Sequence, residues 1–326
     1  MKIAFFDTKP YDKIWFEPMM KQYGYEVKFF EHKLNSDTAV LTKGFDAVCI
    51  FVNDTANSEV LNILNKNGIK LIALRCAGYN NVDLKSLGKI KAVRVPAYSP
   101  SAVAEFAAAL LLSINRKTHK AYIRTRDFNF NINGLLGFDL VGKTAGIIGT
   151  GKIGQMFIDI CKGFKMKVIA YDPYPNNNLD IEYVSLDELF EKSNIISLHC
   201  PLTKDSYHII NADSISKMQD NVFIVNTSRG ALIDTASLIN GLKSKKIGGA
   251  GLDVYEEEND VFFEDKSNEI IDDDELMRLL SFPNVIISSH QGFFTREAMQ
   301  QIAMVTMENI ANFLQDKITN EVVLND

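Results

Sequence analysis

Cysteine is scarce in this chain and does not cluster. Among 326 residues there are four, Cys49, Cys76, Cys161 and Cys200, and no two form a CxxC pair. Most lie in or beside apolar runs, which predicts buried free thiols in a reducing cytoplasm and neither a disulfide framework nor a metal site. Basic charge is also short: 35 Lys and Arg face 41 Asp and Glu, a net charge of −6. That balance argues against nucleic acid or an anionic membrane surface as the main partner. No apolar run approaches the roughly 20 residues that cross a bilayer. The start, Met1-Lys2-Ile3-Ala4-Phe5-Phe6-Asp7, turns acidic too early for a signal peptide and reads as a first strand. Low-complexity tracts and internal repeats are lacking as well. The acid excess is partly local, in Glu256–Glu275, where a solvated loop face accounts for it.

What is present is ordinary globular material, 46% hydrophobic and 23% charged, in a chain long enough for two cores. The most informative stretch is Gly149-Thr150-Gly151-Lys152-Ile153-Gly154. It follows an apolar, strand-like run, Thr144–Ile148, and opens a segment with helical apolar spacing. A second strand-like run, Lys167–Tyr171, then ends on Asp172. In this strand-turn-helix-strand-acid context the glycines read as a dinucleotide-binding fingerprint. Gly149, Gly151 and Gly154 allow a tight turn and close approach to a pyrophosphate, which the amides of Lys152 and Ile153 at the helix start would meet. Asp172 would accept hydrogen bonds from the ribose hydroxyls and repel a 2′-phosphate, so the expected cofactor is NAD.

From residue 144 onward, near-continuous apolar runs recur at Ala145–Ile148, Val168–Tyr171, Ile195–Leu198, Val222–Val225, Ala250–Val254 and Val285–Ser288. Runs of this kind suit a parallel sheet buried on both faces. An earlier set at Ile3–Phe6, Val27–Phe30, Ala47–Val52, Leu71–Leu74 and Ala92–Val95 predicts a second open α/β sheet of flavodoxin-like type. The expected fold is therefore α/β: two doubly wound parallel-sheet domains, a Rossmann cofactor domain and a flavodoxin-like substrate domain, with the active site in the cleft between them. Ser99-Pro100 would cap and start a helix, Ala102–Ile114, that is apolar nearly all round and would be buried between domains or subunits. Thr295 would cap a terminal helix that returns to the first domain. The boundaries expected are 1–99 with 297–326 for the substrate domain, and 100–296 for the NAD-binding domain.

Ligands of open α/β sheets bind beyond the carboxyl ends of the strands. Those ends carry the glycine turn, Asp172, His199-Cys200-Pro201, Asn226-Thr227-Ser228-Arg229-Gly230, the acidic run from Asp253 through Glu258, and Ser289-His290-Gln291-Gly292. One region thus gains an arginine, carboxylates and a histidine beside a nicotinamide. Hydride transfer to a carbonyl needs a proton donor for the developing alkoxide, and histidine titrates near neutral pH. Arginine can hold a substrate carboxylate by paired hydrogen bonds. Taken singly, these side chains also fit solvated or structural roles, and His32, His119 and His208 lack such placement.

The residues at these ends, with Phe51-Val52-Asn53-Asp54, Leu74-Arg75-Cys76-Ala77-Gly78-Tyr79-Asn80-Asn81-Val82-Asp83, Arg94-Val95-Pro96-Ala97-Tyr98, Gly142–Gly146, Asn226–Asp234, Phe263–Ser267 and His290-Gln291-Gly292-Phe293, carry a resemblance. Over essentially its whole length the chain resembles the D-isomer-specific 2-hydroxyacid dehydrogenases, and most closely their bacterial NAD-dependent fermentative branch. The resemblance implies that Arg229 binds the substrate carboxylate, that His290 is the acid/base and that Glu258 is its partner. It further implies that the amides of Ala77 and Gly78 complete carboxylate binding, and that Tyr98, Phe51 and Phe293 wall the pocket around the substrate methyl. Cys200 and Pro201 would flank the adenosine, with Thr227 and Asp253 near the nicotinamide.

The implied reaction is reversible reduction of pyruvate to D-lactate by NADH in a homodimer or homotetramer. Alternatives are the same chemistry on 2-oxoisocaproate, glyoxylate or hydroxypyruvate, and an NAD-sensing corepressor-like binding protein. Ser289 and Gly292 stand where many relatives have proline and alanine, which would loosen the histidine loop.

Overall fold

The computed structural model describes residues 1–258 and 261–323. Positions 259 and 260 of the acidic run, and 324–326 of the expected terminal segment, lie outside the described residues. The chain forms two compact units: Met1–Ser99 together with the segment from Phe294 onward, and Pro100–Phe293. The second boundary falls ahead of the expected 296/297. The reason is local: Phe294 packs edge-on against Tyr11, with ring centroids 4.8 Å apart.

The first unit carries β1 (Lys2–Phe5), α1 (Pro10–Gln22), β2 (Glu26–Phe29), β3 (Ala47–Ile50), α2 (Ser58–Lys66), β4 (Leu71–Leu74) and β5 (Lys91–Arg94). Its strands lie in the order β2-β1-β3-β4-β5, all parallel. The central strands β3 and β4 are wholly buried, whereas edge strand β2 alternates exposed and half-buried positions, as an edge in contact with water should. The terminal helix α10 (Arg296–Leu314) belongs to this unit and packs on α1, β4 and β5. Thr295 caps it by accepting from the Ala298 amide at 3.2 Å, an interaction worth about 1 kcal/mol in such positions.

The second unit contains α3 (Pro100–Arg116), α4 (Thr118–Arg126), β6 (Thr144–Ile148), α5 (Lys152–Gly163), β7 (Lys167–Tyr171), β8 (Glu182–Tyr183), α6 (Leu186–Lys192) and β9 (Ile195–Leu198). It continues with α7 (Ala212–Lys217), β10 (Val222–Asn226), α8 (Thr235–Lys243), β11 (Ile247–Leu252), α9 (Asp274–Ser281) and β12 (Val285–Ile287). The sheet order is β12-β11-β10-β9-β6-β7-β8, again all parallel. The strand order reverses beside β6, which places the glycine turn at the switch point. The short edge strand β8 is the element the apolar pattern did not predict. Two residues, one exposed and one half-buried, leave no hydrophobic run to read.

Helix α3 shows why its sequence is apolar nearly all round. Ala104, Ala107, Leu110, Leu111 and Ile114 enter a core with Ile147, Phe157 and Val225 of the same unit. Gly251 in β11 makes room for it: a Cβ there would sit 3.0 Å from that of Leu110. The burial of α3 thus has its cause inside one unit and offers no separate argument for an oligomer.

Candidate active site

The glycine turn is shaped by what lies beneath it. Gly149 has φ +95°, and a Cβ there would lie 2.6 Å from the Cys200 amide nitrogen. A Cβ on Gly154 would collide with the Gly149 carbonyl, so the start of α5 sits flush on the turn. Gly151 faces open space, and α5 begins at Lys152, leaving the amides of Lys152 and Ile153 at its first turn. Asp172, at the end of β7, is held in place on both carboxylate oxygens. Its Oδ2 accepts from the Thr150 amide at 2.7 Å and the Thr150 hydroxyl at 3.0 Å, and Tyr174 donates its amide to Oδ1 at 2.9 Å. Tyr183 of β8 reaches the same Thr150 hydroxyl at 2.9 Å. Thr150 is a residue that sequence reasoning passed over, because its partner is distant in the chain.

Further along the strand ends, Ser228 donates to the Cys200 carbonyl at 2.6 Å and so ties the loop after β10 to the loop after β9. Cys200 is half-buried and Pro201 exposed. Thr227 is buried with its hydroxyl unpartnered among the described residues, a polar atom that a bound ligand would satisfy. These features fit a dinucleotide: a glycine cradle, helix-start amides, an oriented carboxylate and an orphaned hydroxyl. His199 lies beneath the turn, its ring 5.0 Å from that of Phe157, with the Ser197 hydroxyl 2.9 Å from Nε2. Burial pushes its imidazole down to about 3, so the ring is neutral and structural.

Arg229, Glu258 and His290 occupy the loops after β10, β11 and β12. The Arg229 backbone is extended, with φ −143°. The Asn226 side-chain amide donates to its carbonyl at 2.8 Å, and one guanidinium nitrogen donates to the Ser228 carbonyl at 2.6 Å. Gly230 is glycine because a Cβ there would run into the Tyr255 carbonyl, so the arginine loop presses on the chain leading to Glu258. Glu258 Oε1 meets His290 Nδ1 at 2.8 Å, and its Oε2 accepts the Tyr255 amide at 3.0 Å. Both side chains are about four-fifths buried. The carboxylate therefore engages one ring nitrogen, and Nε2 of His290 makes no hydrogen bond among the described residues.

The His290 backbone adopts φ +53°, a left-handed conformation that a histidine adopts only when its surroundings impose it. Asp253 imposes it. Its carbonyl accepts the His290 amide at 2.7 Å, and its carboxylate accepts from the Ser288 hydroxyl at 2.7 Å, the Gln291 amide at 2.9 Å and the Gly292 amide at 2.7 Å. Burial pushes the Asp253 carboxyl above its ordinary range, while these three donors pull it back. A Cβ on Gly292 would fall 2.9 Å from this carboxylate and 3.4 Å from Phe106. The glycine thus fits a tightly gripped loop, and the loosening expected from Ser289 and Gly292 is absent. Phe293 follows, buried.

A second histidine–glutamate pair lies nearby. His208 Nε2 meets Glu256 Oε1 at 2.5 Å, and Glu256 Oε2 accepts the Thr235 hydroxyl at 3.0 Å. His208 also has φ +49°, and its ring stacks on Tyr207 with centroids 3.8 Å apart.

The first unit carries Phe51, Ala77, Gly78 and Tyr98, each half-buried, at or beyond the carboxyl ends of β3, β4 and β5. Among the described residues neither the Ala77 nor the Gly78 amide finds an acceptor. Behind them Arg75 is buried between the rings of Phe5 and Phe51, at 4.4 and 5.0 Å. Its Nη2 donates to the Asp7 carbonyl at 2.8 Å.

Two parallel sheets, one with a glycine turn at its switch point, place the chain among the nucleotide-binding α/β proteins. Comparison with known proteins makes this specific. Residues 108–292 match the D-isomer specific 2-hydroxyacid dehydrogenase NAD-binding domain family. The chain is 52% identical to the D-lactate dehydrogenase of Escherichia coli over 318 residues, covering 96% of each. The solved apo-structure of D-lactate dehydrogenase from Escherichia coli is similar at a TM-score of 0.91 and 47% identity, over 99% of this chain and 100% of that one. D-lactate dehydrogenase with NAD+ from Lactobacillus jensenii is similar at 0.82 and 28%, over 100% of both chains. The chain belongs to the D-isomer-specific 2-hydroxyacid dehydrogenases, uses NAD, and lies close to the bacterial D-lactate dehydrogenases.

Proposed function

We propose that the chain reduces pyruvate to D-lactate with NADH, reversibly, and that Arg229, Glu258 and His290 carry the reaction. The observation that supports this most is the Glu258–His290 pair at 2.8 Å through Nδ1, with Nε2 left unengaged. Glu258 fixes the ring through Nδ1, and Nε2 donates a proton to the substrate oxygen as negative charge develops there. Bound NADH supplies the hydride. Arg229 holds the substrate carboxylate, for which the amides of Ala77 and Gly78 are further donors. Phe51, Tyr98 and Phe293 wall the methyl side, which favours a short apolar substituent over a phosphorylated one. On the cofactor side, Lys152 and Ile153 meet the pyrophosphate, Asp172 the ribose, Cys200 and Pro201 the adenosine, and Thr227 the nicotinamide end. Asp253 serves that end chiefly by holding the His290 loop.

NADH consumption against a panel of 2-oxoacids, with the chirality of the pyruvate product determined, tests the reading. Fast turnover of pyruvate to D-lactate supports it. Preference for 2-oxoisocaproate, glyoxylate or hydroxypyruvate moves the substrate, and no turnover with any of them sinks the proposal.

We further propose a cytoplasmic homodimer or homotetramer. Among the described residues no helix is long and apolar enough to cross a membrane. The segment between α4 and β6 exposes Phe128 (85%), Phe130 (73%), Ile132 (79%) and Leu136 (87%), a run of apolar side chains that suits contact with a second copy. A monomeric mass by light scattering at micromolar concentration would rule the oligomer out.

A further inference from the structure

We infer that Arg94 is a positioning residue for the substrate carboxylate, acting through a single peptide unit. The inference rests on the reading above, in which the amides of Ala77 and Gly78 receive that carboxylate. Arg94 ends β5, and its neighbours fix it in place. Its amide donates to the Asn320 carbonyl at 3.1 Å, and its carbonyl accepts from the Asn309 side-chain amide at 2.8 Å. Its guanidinium lies over the Tyr79 ring at 5.1 Å and donates through Nη1 to the Ala77 carbonyl at 2.7 Å. The loop it grips is held from other sides too. The Cys76 thiol donates to the Gly78 carbonyl at 3.2 Å, and the Asn81 side chain donates to the carbonyls of Phe51 and Asp54 at 2.8 and 2.7 Å.

The Ala77 carbonyl and the Gly78 N–H are the two ends of one peptide group. A cation hydrogen-bonded to the oxygen draws electron density across the amide and makes the N–H a stronger donor. That N–H has no acceptor among the described residues, so the added donor strength is available to a ligand. Arg94 thus aims the Gly78 amide by holding its plane and strengthens it by charge, without touching the substrate itself. The effect is selective: a carboxylate gains from it, and a neutral ester gains little.

The test compares wild type with Arg94→Met and Arg94→Gln, the latter keeping a neutral donor on a shorter side chain. Measured are kcat and KM for pyruvate and for its methyl ester, the NADH dissociation constant by fluorescence, and the thermal midpoint. The expected result is a pyruvate KM raised about tenfold in Arg94→Met and less in Arg94→Gln. The methyl-ester KM and NADH binding should stay near wild type. Equal loss with pyruvate and its ester marks a merely structural arginine and overturns the inference, as does an unchanged pyruvate KM. Should Arg94→Met fail to fold, Arg94→Gln decides alone by the same criteria. Wild type that reduces no 2-oxoacid overturns the underlying reading instead.

Discussion

Two histidine–glutamate pairs draw their carboxylates from one loop, the one after β11, yet they use their rings differently. His290–Glu258 and His208–Glu256 have similar separations, 2.8 and 2.5 Å, and similarly buried side chains. What differs is how each ring is used. His290 gives Nδ1 to its carboxylate at a strand end, and its Nε2 is unengaged among the described residues. His208 gives Nε2 to Glu256, stacks on Tyr207, and belongs to a clasp that also takes in Thr235. Each ring leaves one nitrogen over among the described residues, so the pairs differ in where that nitrogen stands relative to the strand ends.

That contrast can be broken from either side. The largest expected effect is His290→Asn, which should lower kcat for pyruvate reduction by about a thousandfold while NADH binding persists. His208→Asn should leave kcat within a few-fold and lower the thermal midpoint instead. Equal losses of activity in the two variants would collapse the distinction. Next in size are the carboxylates. Glu258→Gln should lower the rate of pyruvate reduction about tenfold while NADH binding persists, because the His290 ring loses the carboxylate that orients it. Glu256→Gln should leave the rate within a few-fold. Equal rates for wild type and Glu258→Gln would mean the pairing has no catalytic role.

The smallest expected effect concerns His199, whose pairing is neither of these. Its ring is neutral in the fold, with its pKa lowered from 6.5 to about 3 by burial, whereas the unfolded chain protonates it near 6.5. The unfolded state thus binds the extra proton between those values. Stability from this residue is complete above about pH 6.5 and is lost as pH falls toward about 3. His199→Phe should flatten the acid side of a denaturation-midpoint profile over that window, and an unchanged slope would contradict the assignment.

Much of this was legible in the sequence for physical reasons that particular residues illustrate. Parallel strands buried on both faces read as continuous apolar runs, which is why β6, β9 and β10 stand out and the two-residue β8 does not. The glycine turn declared itself because Gly149 and Gly154 each answer a local steric demand. Side-chain pairings between distant segments left no such trace. Thr150 with Asp172, Glu256 with His208, and Arg94 with Ala77 depend on which strand ends the fold makes neighbours. Asp253 was visible as a strand-end acid with a cofactor role in prospect. Its carboxylate also accepts from Ser288, Gln291 and Gly292, a relation that spacing alone does not reveal.

The return of α10 to the first unit has a consequence for how the chain is made. The second unit is contiguous from Pro100 to Phe293, whereas the first is closed only by residues beyond Phe294. On a ribosome β5 emerges before the second unit, and the helix that packs on β4 and β5 emerges after it. The face of the first sheet that α10 covers must therefore wait for that helix while the nucleotide-binding half is synthesised.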